Sequence, residues 1–520
     1  MSNPDIYSHA VSELEHRETH ISHVFLTGPY VYKIKKSLDL EFLDYTTLEK
    51  RKYYCQQETI LNQRLSHDVY LGVVAITYDK GKYYLDGPGK PVEYAVKMGQ
   101  LADENSMLRL LRNRKIAETE IKQLAQRLCE FYQKAAGDAK INTFGAWDMI
   151  HFNCEENFRQ TEKFSGEILD ERMFQIIRAA SRLFLYRRKQ LFKDRVKHNK
   201  IRDCHGDLRS GHIYFNNEIQ IIDCIEFNER FRCADITSDL AFLAMDLDFE
   251  GFADTSQGLI DIYIRCSGDQ DIYILLDFYK CYRAFVKSKV NCMHLNELDP
   301  GDSARTRLQK DAQRYLALAY QYAIRFSRPT IWIVCGLPAT GKSTIAKELY
   351  HRLHIKTLSS DRIRKKLFNL RPNQSTSLPF EEGIYSKEAT SLAYGKLLLT
   401  AQAEIERGNS VILDATFSRQ HQRQEVLRLA GDMDANIIFI ECVAPINKLY
   451  ARLKDREAKG ASVSDARLHH LKQFMDRYEP LTEIRNGRHI RINTKKPLHE
   501  SIHRILSHDY FLLSQEITRR

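Results

Sequence analysis

The chain carries no C-x-x-C pair among its 11 cysteines, no apolar run of membrane-spanning length, no internal repeat and no low-complexity segment. The scattered cysteines argue against a zinc ribbon or a disulfide framework, and for reduced thiols in the cytoplasm. The missing apolar run leaves no expected membrane helix. The opening stretch MSNPDIYSHAVSELEH is polar and carries acids, so no secretory leader is expected. Aromatic residues are spread rather than interleaved with Lys and Arg, which removes the stacking platform of a single-strand binder. His16 and His20 have the spacing of a metal pair on a helix, but no H-E-x-x-H accompanies them, and they are read as surface positions. His469 and His470 are read as solvated in the same way.

What remains is a long chain of ordinary globular composition. Its 520 residues exceed one core, and 43% hydrophobic against 28% charged residues is typical of a folded protein. The net charge of +10, from 78 Lys+Arg against 68 Asp+Glu, permits an anionic substrate without demanding nucleic acid. The densest basic stretch, Arg187–Arg202, reads as a solvated helix face. Residues 22–100 read mainly as strands, with a helix at Thr47–Leu65 and a turn at Gly28-Pro29. Residues 104–200 read as helices, 201–225 as strand–loop–strand, and Ser238 to about Arg325 as helices again. Ser327-Arg328-Pro329 is the expected linker. Strand and helix then alternate to the end, the pattern of a parallel sheet.

The strongest motif is Gly336-Leu337-Pro338-Ala339-Thr340-Gly341-Lys342-Ser343, a complete G-x-x-x-x-G-K-[ST] phosphate-binding loop followed by Thr344. Its context is right. Thr330–Cys335 is a short β-branched run, and Thr344–Leu353 has helical periodicity. Backbone N–H groups and a helix dipole then converge on one anion site. Lys342 is expected to reach the β/γ-phosphates of ATP, and Ser343 to hold Mg²⁺.

Further acids follow at strand ends. Thr357–Asp361 places Asp361 as candidate base, with Arg362 and Arg364 beside it for an anionic acceptor; the rival role for Asp361 is a helix N-cap. Ser410–Leu413 leads into Asp414, the expected outer-sphere Mg²⁺ acid, and Thr416 lies near substrate or nucleotide. In Leu449–Glu457, Arg452 and Arg456 share one helix face. With the loop Gly460–Ala466 they form an expected lid closing on phosphates; the rival reading is surface ion pairs of Arg452 with Asp455 and Arg456 with Glu457.

A second constellation stands upstream. Cys204-His205-Gly206-Asp207 is followed by an apolar strand ending Ile221-Ile222-Asp223. A catalytic-loop aspartate that accepts a hydroxyl proton, and a strand-end aspartate for Mg²⁺, are the two acids a protein kinase needs. On these residues, 1–325 resembles the aminoglycoside phosphotransferase group of the kinase-like fold. The resemblance implies Lys33 as the ATP lysine, Glu58 as its ion-pair partner, Val96–Met98 as the hinge beside adenine, and Asp235–Asp239 with the helix after it as part of the family pattern. It also implies Asn where this chain has His212, and Mg²⁺ prefers oxygen ligands. Two readings stay open: an active site with altered metal coordination, or a degenerate kinase domain that senses a ligand. By the loop, Asp361-Arg362, Asp414 and the arginine pair, 330–520 resembles zeta-toxin-like and polynucleotide-kinase-like P-loop kinases.

The expected architecture is therefore α/β and α+β: a kinase-like bilobal domain (N-lobe 1–100, C-lobe 101–326) followed by a P-loop kinase domain (330–520). The expected function is ATP- and Mg²⁺-dependent phosphorylation of a small-molecule hydroxyl in the cytoplasm. The alternatives are a nucleic-acid 5′-hydroxyl kinase, with Arg362, Arg364, Lys365 and Lys366 on the phosphate backbone, and a sensor domain regulating a P-loop ATPase. A toxin role is a weaker branch of the zeta-like resemblance.

Overall fold

The computed structural model describes residues 1–40, 42–299, 302–371, 374, 381–459, 466–484 and 487–518. It divides into two compact units. The first comprises Met1–Phe174, Phe192–Asp269 and Tyr279–Ala319; the second comprises Gln175–Leu191, Gln270–Phe278 and Tyr320–Arg520.

The first unit begins with a six-stranded antiparallel sheet, in the order Glu15–Glu18, Ser22–Leu26, Tyr30–Lys35, Lys90–Gly99, Tyr70–Asp79, Lys82–Leu85. Gly28 makes the turn before Tyr30–Lys35 at φ +92°, a region costly for any residue with a Cβ. The helix Leu48–Asn62 packs on this sheet. It starts where Thr47 accepts a hydrogen bond from the Lys50 N–H, so one orphan donor of its first turn is satisfied. Helices make up most of the remainder. Ile236–Phe249 is buried on every face from Ile236 to Leu247, as an apolar helix at the centre of a core must be.

The second unit is built on a five-stranded parallel sheet, in the order Lys356–Ser359, Val411–Asp414, Thr330–Cys335, Asn436–Val443, His489–Asn493. The central strands are continuous apolar runs because helices cover both faces. Register places Val334 and Ser359 beside Asp414. The carboxyl ends of three strands therefore finish level, and the loops that leave them share one crevice.

The division into units does not follow the Ser327–Pro329 linker. Helix Ala304–Ser327 runs up to that point, and Thr330–Cys335 begins directly after it. Phe184 and Phe278, from chain segments far upstream, stack at 4.8 Å between ring centroids, and Phe326 lies edge-on to Phe184 at 5.1 Å. These aromatics tie Gln175–Leu191 and Gln270–Phe278 into the second unit. The basic stretch is a solvated face only in part: Lys189, Lys193 and Lys197 are exposed, but Arg187, Arg188 and Arg195 are turned inward. Arg187 donates to the carbonyls of Arg407 and Gly408, and Arg188 to that of Leu353, where two helices end. Arg195 is 1% exposed and grips Asp235 through two bonds of 2.8 Å and Asp269 through one of 2.6 Å.

Candidate active sites

In the second unit the residues of the phosphate loop curl around the N-terminus of helix Lys342–Leu353. Gly336 has φ +125°, and a Cβ there would lie 2.4 Å from the Cys442 carbonyl oxygen, so only glycine fits. Gly341 has φ +93°. Ala339 takes φ +61° with its methyl buried. Lys342 Nζ donates to the Leu337 carbonyl at 2.8 Å, and desolvation lowers its pKa below that of an ordinary lysine. Ser343 Oγ donates to Asp414 at 2.8 Å, and burial raises the Asp414 carboxyl.

These groups line a cavity of about 260 Å³ with Thr344, Asp361, Thr416 and Arg456. Asp361 is not an N-cap: Ser359 holds that position and Asp361 sits in the first turn of Ser360–Leu367, on the cavity wall. Leu337 and Thr340 brace the loop from behind, Thr340 donating to the Leu337 carbonyl at 2.7 Å.

Several sequence expectations need correction. Arg452 does not share the cavity with Arg456. Its guanidinium donates to the Ala339 and Thr494 carbonyls and to Thr494 Oγ1, each at 3.1 Å, and it borders a separate shallow depression with Lys448, Asp455 and Lys495. Arg364 lines the cavity, but its guanidinium is used by the Ile384 carbonyl at 2.9 Å and Thr390 at 3.0 Å. Arg362 is exposed and stands outside the lining, while Lys365 is 1% exposed. Arg362–Lys366 is thus not a continuous solvated strip for a phosphate backbone. His470, expected at the surface, is buried on the cavity wall. The loop proposed as a lid lies outside the described residues over 460–465. Arg419 and Arg477 were overlooked; both reach the cavity, paired with Glu479 and Glu381. Arg419 was legible, five residues beyond Asp414, whereas Arg477 carries no motif.

In the first unit, Lys33 lies on Tyr30–Lys35 and Glu58 on the helix packed behind it. Lys33 Nζ is 2.9 Å from Glu58 and 2.6 Å from Asp223. Desolvation opposes the Lys33 charge, but Asp223 and Glu58 outweigh it and hold the ammonium above the usual lysine value. Asp223 has φ +68°, and its carboxyl is held well below the usual range by Lys33 and His212 against the penalty of burial. A second lysine was missed. Lys35, two residues on and therefore on the same strand face, bonds Glu58 at 2.6 Å and also Glu226. Tyr45 donates to Glu226 at 2.6 Å.

The His205–Asp207 loop hangs on the central buried helix. Asp239 accepts from the backbone N–H of His205 at 2.9 Å and of Gly206 at 2.8 Å, and from Tyr132 Oη at 2.8 Å. His205 Nε2 sits 3.0 Å from the Ile222 carbonyl, which links the loop to the segment before Asp223. Asp207 is gripped by Arg209 through both oxygens, at 2.9 and 2.7 Å. Burial raises its pKa, but Arg209 and His212 win and bring it to about 2. His212 is neutral, its pKa driven to about 4 by burial first and Arg209 second. Asp207, His212 and Asp223 each offer one ligand atom within 4.8 Å of the others. His16 does not pair with His20; in the strand it meets His23 across the hairpin, at 3.2 Å.

Among known proteins, the profile of the AAA domain family (AAA_33) matches residues 331–481. With the loop geometry, this makes the second unit a P-loop nucleotide-binding domain. Solved structures align with parts of the chain. A putative kinase from Chloroflexus aurantiacus is 23% identical, with 35% of this chain and 98% of that one covered and a TM-score of 0.29. A choline/ethanolamine kinase family protein from Mesorhizobium loti is 12% identical, with 61% and 96% covered and a TM-score of 0.37. No helix among the described residues is long and apolar enough to cross a membrane. The uncharacterized protein Rv2004c of Mycobacterium tuberculosis is 30% identical over 441 residues, 85% of this chain and 86% of that protein, and the uncharacterized protein Mb2027c of Mycobacterium bovis matches to the same extent. An alignment of that extent runs far beyond the P-loop domain, and the chain belongs to the same family as these mycobacterial proteins.

Proposed function

We propose that the chain is an ATP-dependent phosphotransferase whose second unit phosphorylates a hydroxyl of a small polar molecule. The observation that carries this is the single cavity walled by the phosphate loop, Lys342, Ser343, Asp414 and Asp361. Phosphoryl transfer needs positioning and charge neutralisation more than covalent chemistry. The loop N–H groups and Lys342 receive the β- and γ-phosphates; Lys342, desolvated beside its own loop carbonyl, regains a counter-charge there. Ser343 and Asp414 present two oxygens 2.8 Å apart, a donor set that suits Mg²⁺. When bound, that ion neutralises charge on the phosphate oxygens. Asp361 accepts the proton of the acceptor hydroxyl. Arg456 faces the same space and stabilises the charge of the transferring group. Arg452, bonded to the Ala339 carbonyl and to Thr494, braces the phosphate loop from outside this cavity.

The first unit is read as a second, kinase-type phosphotransfer site, with Lys33–Glu58 holding phosphate, Asp223 the metal and Asp207 as base. Its donor set differs from that of the P-loop site. His212 stands where an oxygen ligand is expected, so the fit to Mg²⁺ is poor.

Lys342→Ala should lower ATP turnover at the P-loop site by at least ~100-fold, the scale of losing one preorganised charge at the transition state. Measured in an Asp207→Asn background, unchanged turnover would sink the assignment. Incubation with labelled ATP and a 5′-hydroxyl oligonucleotide tests the nucleic-acid alternative, for which no label transfer is expected.

A further inference from the structure

We infer that Asp207, His212 and Asp223 form a binding site for a first-row divalent transition ion, selected over Mg²⁺, and that Arg209 is the internal cation this ion displaces. Arginine has only donors to offer. Its Nη2 lies 2.8 Å from His212 Nε2, so that nitrogen carries the lone pair. The ring proton is then on Nδ1, 3.0 Å from the Asp207 carbonyl oxygen that accepts it. A neutral imidazole whose other nitrogen donates to a backbone carbonyl is oriented as metal-binding histidines are.

The lone pair faces one carboxylate directly and the other through Arg209. Nε2 is 3.8 Å from Asp223 Oδ2, and the Arg209 Nη2 that meets Nε2 lies 2.7 Å from Asp207 Oδ2, so an ion in place of Nη2 meets both. One nitrogen and two carboxylates make a mixed set. Imidazole favours first-row transition ions, and carboxylates accept them as readily as Mg²⁺, so the nitrogen decides the preference. Arg209 occupies this set as a positive charge would, bonding both Asp207 oxygens and the His212 lone pair at once. A divalent ion meets the same acceptors with twice the charge. Its entry must release Arg209 from both Asp207 and His212. The inference uses residues of the proposed first-unit phosphotransfer site but does not require transfer to occur.

The test is binding of Mn²⁺ alone, without nucleotide, to the full chain carrying Ser343→Ala. Loss of the free-ion electron paramagnetic resonance signal reports occupancy, and electron spin echo modulation reports ligand nitrogen. The expected result is one bound Mn²⁺ with an imidazole nitrogen coupling, resistant to a tenfold excess of Mg²⁺. His212→Asn should remove the coupling, weaken Mn²⁺ by about 10-fold or more and let Mg²⁺ compete. Arg209→Met should tighten Mn²⁺. Absence of nitrogen coupling in the parent protein, or equal competition by Mg²⁺ there, overturns the inference without any reliance on variants that must fold. Mn²⁺ binding with no phosphoryl transfer by the first unit would leave the metal site standing and remove the transfer reading instead.

Discussion

Arg195 shows how much of this chain's charge works inside it. Its guanidinium is 1% exposed and meets two carboxylates and Thr237. Removing it leaves Asp235 and Asp269 buried without their partner, a loss of about 3–5 kcal/mol. Arg195→Met should therefore lower the unfolding free energy by that much in urea titrations. The pH dependence has a definite sign. Burial raises the Asp269 carboxyl, but Arg195 and Lys200 outweigh it and depress the folded value below the model-peptide 3.8. A depressed acid stabilises fully above its unfolded pKa and loses that contribution as pH falls through the folded one. Wild-type stability should drop on acidification below about pH 4, and the drop should be shallower in Arg195→Met. An equal slope in the two proteins would show that Asp269 is not the titrating group. This arginine sat within a run of seven Lys/Arg between 187 and 200 in the sequence, where charge density alone suggested a solvated face. A single sequence has no means of showing that acids at 235 and 269 fold back onto it.

At the scale of elements, the His205–Asp207 loop depends on a helix packed behind it. Asp239, in the first turn of Ile236–Phe249, accepts from two consecutive loop N–H groups and from Tyr132. Asp239→Ala leaves those buried donors without an acceptor, at about 1–3 kcal/mol each. Its melting temperature should fall by several degrees, and any Asp207-dependent activity should fall with it. A variant that melts like wild type would mean the loop is held by other contacts. Elements were where the sequence spoke most clearly. Alternating and periodic apolar residues marked Tyr30–Lys35, Leu48–Asn62, Thr330–Cys335 and Lys342–Leu353, because each buries one face or all of itself. Motif positions came together where strand register forced them to, as with Asp414 beside Ser359 and Val334. What stayed hidden was side-chain direction: Arg452 turned behind the loop rather than toward Arg456, and Lys35 joined Lys33 on Glu58.

At the scale of the molecule, a P-loop nucleotide-binding domain and a proposed second phosphotransfer site share one chain, and the compact units do not part at the apparent linker. Among the described residues four helices, Glu171–Arg187, Lys189–Lys197, Ile272–Leu295 and Ala304–Ser327, have residues in both compact units. A fragment of residues 330–520 lacks Phe184, Phe278 and Phe326, each aromatic ring contributing about 2 kcal/mol when buried. It also lacks the arginines that meet the carbonyls of Leu353 and Gly408. Such a fragment should melt well below the P-loop unit of the intact protein, and a fragment as stable as that unit would show the aromatic cluster to be dispensable.

The most direct test of the account is transfer of the γ-phosphoryl group of labelled ATP to a panel of small-molecule hydroxyl acceptors. It is run on the intact protein and on Asp361→Asn, Lys342→Ala and Asp207→Asn. The account predicts a labelled acceptor product whose formation falls by at least ~100-fold in Asp361→Asn and in Lys342→Ala. It also predicts that this product persists in Asp207→Asn. Acceptor phosphorylation that survives both Asp361→Asn and Lys342→Ala would contradict it.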